Sequence, residues 1–153
     1  MVVNMKKQMA IYAGTFNPFH IGHLDVAKQA KRIFDYTVVA KGINGEKTAI
    51  DTAELPKDTL LSYGIQTAVF GGLLSDFILK AEGNGYDVVV IRGLRSGSDL
   101  EYEQNFAAFL KGMKSDVKIV AFYSNPEFRH ISSRALRGFQ KFSQWEYDKY
   151  VVK

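Results

Sequence analysis

The chain contains no cysteine and only three prolines among its 153 residues. The lack of cysteine excludes a disulfide scaffold, a zinc-thiolate site and a cysteine nucleophile, and it is compatible with a reducing compartment. Charged residues make up 24% of the chain, and no stretch is apolar enough to span a membrane. The first eight residues, M-V-V-N-M-K-K-Q, lack the apolar core that a signal peptide requires. We therefore expect a cytoplasmic protein with no membrane partner.

Length and charge narrow the class of protein further. A chain of 153 residues fits one domain, since a domain of this size buries roughly 70% of its unfolded surface. We therefore predict a single domain over residues 1–153. The formal net charge of +4 suits an anionic ligand, but the cations are spread along the chain in short runs such as Lys6-Lys7 and Lys31-Arg32. This pattern favours phosphate binding and predicts no nucleic-acid partner.

Five short runs rich in β-branched and aromatic residues predict strands at 9–13, 36–40, 65–70, 87–91 and 117–123. Segments with helical spacing lie between and after them, at 22–34, 56–63, 73–81, 98–111 and 132–142. The alternation, with strands apolar on both faces, predicts an α/β fold: a Rossmann-like, doubly wound parallel five-stranded sheet with helices on both faces. Ligands of such folds bind at the carboxyl ends of the strands, where the strand order reverses.

The turn after the first predicted strand reads G-T-F-N-P-F-H-I-G-H at positions 14–23 and holds two of the three histidines of the chain. The proline at position 18 breaks regular structure just before the first helix. His20 and His23 are three residues apart, so both rings can lie on one side of the helix start. Free N–H groups and the helix dipole attract anions there. Two imidazole donors beside such a terminus indicate a phosphate site.

Two other interpretations of this turn lead elsewhere. In the first, both histidines are partly buried turn residues that satisfy backbone groups. The glycine between them, Gly22, favours the phosphate site, because it lets a flat ring or a phosphate approach the backbone. In the second, the histidines bind a metal, but such a site needs further ligands and no carboxylate is evidently paired with them. We therefore predict no metal-ligating residues.

The same stretch resembles the nucleotidyltransferases whose hallmark is (His or Thr)-x-Gly-His after the first strand. In that superfamily the histidines contact the phosphates of a nucleoside triphosphate while its α-phosphorus is attacked. The resemblance implies that His23 acts at the α-phosphate, and that His20 and Thr15 assist it.

A second stretch, R-G-L-R-S-G-S-D-L-E-Y-E at 92–103, places two arginines in a predicted loop after the fourth strand. Arginine binds phosphate with two parallel donors, and Ser98 or Asp99 is the predicted N-cap of the next helix. In an alternative interpretation the loop is solvated and its arginines pair with Asp99 and Glu103. The buried strand before the loop favours phosphate binding instead. With this stretch the chain resembles the phosphopantetheine adenylyltransferases of coenzyme A biosynthesis more than their relatives.

A third stretch, F-R-H-I-S-S-R-A-L-R at 128–137, is similar to an Ile-Ser-Ser segment of that family. Hydroxyl and N–H groups at a helix start can hold phosphate oxygens, and Ser132 or Ser133 can also cap the helix. Lys47 falls where the family has a lysine that binds the acceptor phosphate. A P-loop is excluded there, because Glu46 stands where the glycine before the lysine would be.

The resemblance implies transfer of AMP from ATP to 4′-phosphopantetheine, which gives dephospho-coenzyme A and pyrophosphate. It also implies a Mg²⁺ ion that accompanies ATP, and a homo-oligomer, usually a hexamer. The ATP-binding residues that it implies are Thr15, Phe16, His23, Gly93, Leu94, Arg95, Glu103, Phe128, Ile131, Ser132, Ser133 and Arg134. The acceptor-binding residues are Thr15, Lys47, Leu74 and Arg92, and the catalytic residues are His23, His20 and Thr15.

Three alternatives stay open. The family commonly has Thr-Asn-Gly-His where this chain has H-I-G-H at 20–23, a variant nearer to nicotinate-mononucleotide adenylyltransferases and cytidylyltransferases. The acceptor could therefore be a nicotinamide or nicotinate mononucleotide used with ATP, or a sugar or polyol phosphate used with CTP. The second alternative is a non-catalytic nucleotide-binding module. The third is nucleic-acid binding, for which only Arg129 and residues 134–149 offer basic and aromatic material.

Overall fold

The computed structural model describes residues 5–43 and 53–153. The strands are β1 (Gln8–Gly14), β2 (Tyr36–Ile43), β3 (Gln66–Gly71), β4 (Asp87–Leu94) and β5 (Lys118–Tyr123). The helices are α1 (Ile21–Lys31), α2 (Lys57–Ser62), α3 (Leu74–Gly83), α4 (Gly97–Met113), α5 (Ser133–Gln140) and α6 (Gln144–Asp148), with a 3₁₀ turn at Pro126–Phe128. None of the helices described here is long and apolar enough to cross a membrane.

The five strands form one parallel sheet in the order β3-β2-β1-β4-β5. The chain builds outward from β1 to β3 and then returns to the other side of β1 to place β4 and β5. The order therefore reverses between β1 and β4, as in doubly wound folds. The predicted five-stranded parallel sheet is confirmed.

The central strand β1 is buried on both faces, and its alternating side chains divide the core in two. Tyr12 packs in one cluster with Ala27 of α1. Ile11 points to the opposite face and packs in a second cluster with Ile78 of α3 and Leu110 of α4. Helices thus cover both faces of the sheet, as predicted. With β1 fixed on both sides, the turn at its carboxyl end has a fixed starting point.

The strand β4 is longer than the sequence predicts. It continues past residue 91 to Leu94, because Arg92, Gly93 and Leu94 pair in register with residues 121–123 of β5. Arg92 is therefore a strand residue, and its prediction as a loop residue is wrong. Strand pairing gives this side chain a fixed direction that a loop would not.

The start of α4 also differs from the prediction. Ser96 is the N-cap, with an extended backbone at φ −154° and ψ 171°, and its side chain accepts a hydrogen bond from the N–H of Asp99. The predicted caps Ser98 and Asp99 are wrong, because the helix begins earlier, at Gly97. A serine stands at both 96 and 98, and the sequence alone does not rank them.

Candidate active site

A cleft of about 810 Å³ opens at the carboxyl ends of β1 and β4, where the strand order reverses. The residues that line it include the turn between β1 and α1, the end of β4 with the start of α4, the start of α5, and residues at the ends of β2 and β3. The three stretches that the sequence singled out therefore meet at one edge of the sheet. The predicted site residues that line the cleft are Thr15, Phe16, His20, His23, Leu74, Arg92, Gly93, Arg95, Glu103, Ser132, Ser133 and Arg134.

Three predicted residues do not line the cleft, and the structure does not describe a fourth. Lys47 is outside the described residues. Leu94, Phe128 and Ile131 do not line the cleft. The carbonyl of Leu94 accepts a hydrogen bond from the loop after β5 at 2.9 Å, and Ile131 is 3% exposed. Contact of these residues with ATP stays a prediction.

Aromatic packing shapes the turn after β1. Phe16 has a positive φ of 45° and is buried, with its ring edge-on to the rings of Tyr12 and Phe19. A Cβ on Gly14 would lie 3.0 Å from the Phe16 ring, so a side chain at position 14 would require the ring to shift by a few tenths of an ångström. The turn thus directs Phe16 inward and leaves Thr15 exposed at the cleft.

His20 and His23 form a reciprocal cap at the start of α1. The Nδ1 of His20, the N-cap residue, accepts hydrogen bonds from the N–H groups of Gly22 at 3.1 Å and His23 at 3.3 Å. The Nδ1 of His23 accepts in turn from the N–H of His20 at 3.2 Å. The two rings stack with 3.6 Å between their centres. A Cβ on Gly22 would lie 3.0 Å from the His20 ring, so this glycine makes room for the cap.

These hydrogen bonds fix the protonation of both rings. Because each Nδ1 accepts from the backbone, the proton of each neutral ring lies on Nε2. Burial, helped by the positive charge of Arg95, lowers the pKa of His20 to about 4. Burial, helped by His20, Arg95 and Arg92, holds the pKa of His23 well below its ordinary value. Near pH 7 both rings are therefore neutral, and each has one N–H donor on Nε2.

The three N–H groups of the first turn of α1 are already bound. Those of Gly22 and His23 donate to His20, and that of Ile21 donates to the carbonyl of Tyr150 at 2.9 Å. The prediction that free N–H groups of this helix attract a phosphate is therefore wrong. At this end of the cleft the donors are the imidazole rings themselves.

Arg92 is held rigidly at the end of β4. Its Nε and Nη2 donate to the carboxylate of Glu103 at 2.7 and 3.0 Å, and its Nη1 donates to the carbonyl of Ala13 at 2.7 Å. The guanidinium also lies over the ring of Phe106, 4.2 Å from its centre. Three of the five N–H groups are thus used. The other two have no partner among the described residues and can bind a ligand, on a side chain whose direction is fixed.

Arg95 is fixed in a similar way. Its Nε and Nη2 donate to the carboxylate of Asp99 at 3.1 and 3.4 Å, and its Nη1 donates to the carbonyl of Ile131 at 2.9 Å. The alternative interpretation of this stretch paired the arginines with Asp99 and Glu103, and both pairs are present. All four side chains nevertheless line the cleft. The pairs position the guanidinium groups at the site and do not remove them from it.

The N-terminus of α5 offers the N–H groups that α1 lacks. Ser132 is the N-cap, as predicted, and its Oγ accepts from the N–H of Ala135 at 3.1 Å. The N–H groups of Ser133 and Arg134 lie in the first turn, where no intrahelical partner exists. No other partner for them lies in the described part of the chain. The helix terminus that is open to an anion is therefore that of α5.

Two hydrogen bonds join α5 to the turn after β1. The Oγ of Ser133 donates to the carbonyl of Pro18 at 2.8 Å, and the Nη1 of Arg137 donates to the carbonyl of Asn17 at 2.6 Å. Arg134 and Arg137 both line the cleft. Neither is paired with a carboxylate within residues 5–43 and 53–153. The uncompensated positive charge of the cleft is thus concentrated on the α5 side.

Comparison with known proteins agrees with the geometry. A family model described as Cytidylyltransferase-like matches residues 11–59. The phosphopantetheine adenylyltransferase of Porphyromonas gingivalis is 32% identical over 145 residues, which cover 92% of each chain. That of Geobacter sulfurreducens is 33% identical over 138 residues, which cover 87% of this chain and 82% of the relative. The chain belongs to the phosphopantetheine adenylyltransferase family.

A solved structure shares the fold of this family member. The Plasmodium falciparum nicotinic acid mononucleotide adenylyltransferase complexed with NaAD has a TM-score of 0.60 and 14% identity, covering 95% of this chain and 90% of that one. At this identity the likeness concerns the fold alone, and it confirms the Rossmann-like class. The family assigns the chain to the nucleotidyltransferases, as the first motif implies.

Arg137 and Tyr12 are among the residues that line the cleft without having been predicted as site residues. Arg137 lies three residues after Arg134 and shares its face of α5, so helical spacing from the Ile-Ser-Ser segment could have found it. Tyr12 lies in β1, two residues before the turn. Burial raises the pKa of its hydroxyl group, so the side chain stays uncharged under the arginines. Nothing in the pattern of β1 separates Tyr12 from an ordinary core residue.

Acidification should destabilise the fold through His20. Its pKa is about 4 in the folded chain against an ordinary 6.5, so between these values the unfolded chain binds more protons and stability falls as the pH falls. The loss should reach about 3 kcal/mol. His20→Asn keeps an N-cap acceptor but cannot titrate, so its free energy of unfolding should depend less on pH. Urea unfolding between about pH 7 and pH 4.5 measures both slopes, and parallel slopes would contradict the assignment.

Proposed function

We propose that this protein transfers AMP from ATP to 4′-phosphopantetheine, giving dephospho-coenzyme A and pyrophosphate. One observation carries the proposal. A single cleft at the strand reversal collects two neutral imidazole donors, two positioned guanidinium groups and the open N-terminus of α5. Such donors suit several phosphate groups in a row. The family membership supports the pantetheine acceptor.

The absence of a base beside a nucleophile in the described cleft fits this reaction. The acceptor is a phosphate monoester, whose second pKa is about 6, so it is mostly dianionic near pH 7 and needs no general base. The protein has to align two anions that repel each other, and to stabilise the charge that grows on the α-phosphoryl oxygens. Neutral Nε2–H donors suit the second task, because they bind the growing charge and keep their proton.

The charge distribution of the cleft suggests how the substrates lie in it. His23, with His20 and Thr15, would contact the α-phosphate. The α5 side, with Arg134, Arg137 and the free N–H groups of its first turn, would hold the β- and γ-phosphates that leave as pyrophosphate. The uncompensated cations are there, where the substrate carries most charge.

The acceptor phosphate would lie on the opposite side of His23, at Arg92. Its two unused N–H groups can bind one phosphate in two-pronged fashion. Lys47 is proposed as a second cation on this phosphate, and Leu74, which lines the cleft at the start of α3, as a contact for the pantetheine arm. Attack on the α-phosphorus would then proceed from the β4 side, with pyrophosphate departing toward α5.

A resident metal does not fit the described side chains. No group of three His, Asp or Glu residues within 5–43 and 53–153 could hold an ion. The two carboxylates that line the cleft, Asp99 and Glu103, are both bound to arginines. We therefore propose that Mg²⁺ enters with ATP, held by phosphate oxygens and water.

The alternative of a different acceptor rests on His20, which stands where the family commonly has threonine. His20 acts here as the N-cap of α1, and threonine is also a favourable N-cap. Both residues can therefore build the same start of the helix. The histidine at this position does not by itself call for a mononucleotide acceptor.

Location and assembly are proposed on the same basis. We propose a cytoplasmic enzyme, in keeping with the absence of cysteine from the chain. We also propose a homo-oligomer, because α4 leaves several large apolar side chains exposed. Three of them, Tyr102, Phe109 and Met113, share one face of the helix by their spacing. Exposed apolar patches of this kind mark interaction surfaces.

A pyrophosphate-release assay tests the function directly. The purified chain is mixed with Mg²⁺, ATP or CTP, and one of four acceptors: 4′-phosphopantetheine, nicotinate mononucleotide, nicotinamide mononucleotide or glycerol 3-phosphate. Pyrophosphate is expected only with ATP and 4′-phosphopantetheine. Release with another acceptor would replace the proposed substrate and keep the chemistry. Tight ATP binding without release from any acceptor would indicate a non-catalytic module.

A further inference from the structure

Residues Tyr150–Val152 pair with the segment that carries the first histidine. The carbonyl of Tyr150 accepts the N–H of Ile21 at 2.9 Å, and the N–H of Val152 donates to the carbonyl of Phe19 at 3.1 Å. Between these two bonds, His20 and Val151 form an antiparallel bridge. The segment thus adds a short antiparallel strand beside the turn, about 130 residues away along the chain by its numbering. Nothing in the sequence analysis anticipates this contact.

The geometry of this bridge brings two side chains together. The hydrogen bonds flank His20 and Val151 and do not join them, which makes them a non-hydrogen-bonded pair, the kind with the closer side chains. His20 is 3% exposed. Val152 packs against the core cluster that holds Phe16 and Phe19. The segment therefore covers the histidine end of the turn and is itself anchored in the core.

The segment also completes the start of α1. His20 caps the N–H groups of Gly22 and His23, but its Nδ1 does not bind the N–H of Ile21, the first residue of the helix. Tyr150 supplies that missing acceptor. The His20 side chain and the Tyr150 carbonyl together accept hydrogen bonds from all three N–H groups of the first turn. The orientation of this turn sets where the Nε2 atoms point.

We propose that Tyr150–Val152 is a positioning segment for the active site, which holds His20 and His23 in the orientation that transfer of the nucleotide requires. The inference rests on the proposed function for its effect on turnover. The structural claim, that this segment fixes both imidazole rings, does not depend on the identity of the acceptor. The two parts can therefore be tested separately.

Ile21→Pro breaks the contact at a position whose backbone accepts proline. Proline is well tolerated at the first position of a helix, and His20 already has the extended backbone, φ −124° and ψ 173°, that a residue before proline adopts. The variant loses the N–H that reaches Tyr150, and the proline ring takes the place of the isoleucine side chain. The matched control is Ile21→Val, which keeps the N–H and a branched side chain. We expect kcat of Ile21→Pro to fall about 10- to 100-fold with KM for ATP little changed, and Ile21→Val to stay near the parent.

Histidine NMR gives a readout that loss of stability would not produce. The chain has three histidines; two form the pair, and the ring centre of His130 lies 6.3 Å from that of Tyr150. In Ile21→Pro the ring signals of His20 and His130 should both shift. The pKa of His20, which faces His23 and Arg95, should rise from about 4 toward its ordinary value. Native kcat with unshifted signals in Ile21→Pro would overturn the proposal.

Two further measurements decide the matter if Ile21→Pro does not fold. Val152→Pro removes the other hydrogen bond and keeps an apolar side chain, whereas Val152→Ala keeps the bond and loses bulk. The proposal expects Val152→Pro to have the lower kcat and the larger His20 shift, and the reverse order contradicts it.

In the parent chain the amide protons of Ile21 and Val152 should be protected from hydrogen exchange, and unprotected amides would also contradict it. If the parent releases no pyrophosphate, the proposed function fails, and the NMR and exchange results still decide the positioning role.

Discussion

Replacing His23 with alanine should lower kcat by about 10²- to 10³-fold, the usual cost of removing one donor that stabilises transition-state charge. His23 has a neutral ring with its proton on Nε2, a fixed Nδ1 bond to the backbone and aromatic neighbours on several sides. Alanine leaves the charge on the α-phosphoryl oxygens without this donor. Steady-state pyrophosphate release with saturating substrates measures the effect.

The matched control for this variant is His130→Ala. His130 is exposed and does not line the cleft, so its loss should leave kcat within about twofold of the parent, as for surface substitutions in general. Circular dichroism melts should show that His23→Ala remains folded. Turnover near that of the parent in His23→Ala would remove the α-phosphate assignment. An equal loss in both variants would point to a general effect on the fold.

Replacing Arg92 with alanine should be similarly severe and should act on the acceptor. The change removes the cation, and it also leaves the Glu103 carboxylate, whose side chain is 15% exposed, without its partner beside a phosphate. We expect kcat/KM for 4′-phosphopantetheine to fall about 10²- to 10³-fold. Steady-state kinetics with the acceptor varied at saturating ATP measures this fall. Arg129→Ala, on an exposed arginine outside the cleft, is the control.

The double variant Arg92→Ala/Glu103→Gln separates the two causes. Neutralising Glu103 removes the repulsion, so the double variant should recover part of the lost kcat/KM, about tenfold if repulsion contributes about 1.4 kcal/mol. The single variant Glu103→Gln should lose activity less than Arg92→Ala, because the cation remains. A double variant worse than Arg92→Ala would show that Glu103 itself contacts a substrate.

The fold and the cleft could be predicted from local patterns. Runs such as Asp-Val-Val-Val-Ile at 87–91 indicate buried strands, and each of the three motifs follows a strand or opens a helix. Since the carboxyl ends of parallel strands share one edge, the motifs had to meet there. That the rings of His20 and His23 lie on one side of the helix start also follows from their spacing of three residues.

Contacts made across the chain could not be predicted in this way. The Nδ1 caps of α1, the pairing of Tyr150 with Ile21 and the attachment of Arg137 to the turn depend on which residues tertiary structure brings together. Local spacing suggested free N–H groups at α1, whereas those groups are bound and the open terminus is that of α5. Ser96 was missed as a cap because the choice between it and Ser98 depends on where β4 stops pairing.

The packing of Phe16, which has a left-handed backbone, depends on the residue at position 14. A Cβ at position 14 would lie 3.0 Å from the Phe16 ring, so the ring would have to shift to make room for it. A smaller residue at position 16 would empty the space that the ring fills. A substitution at either position alone should therefore destabilise the turn. The effects of substitutions at the two positions should be non-additive. A library aimed at reshaping this enzyme's nucleotide preference should randomise positions 14 and 16 as a pair, because screening them one at a time would discard combinations that are compatible only together.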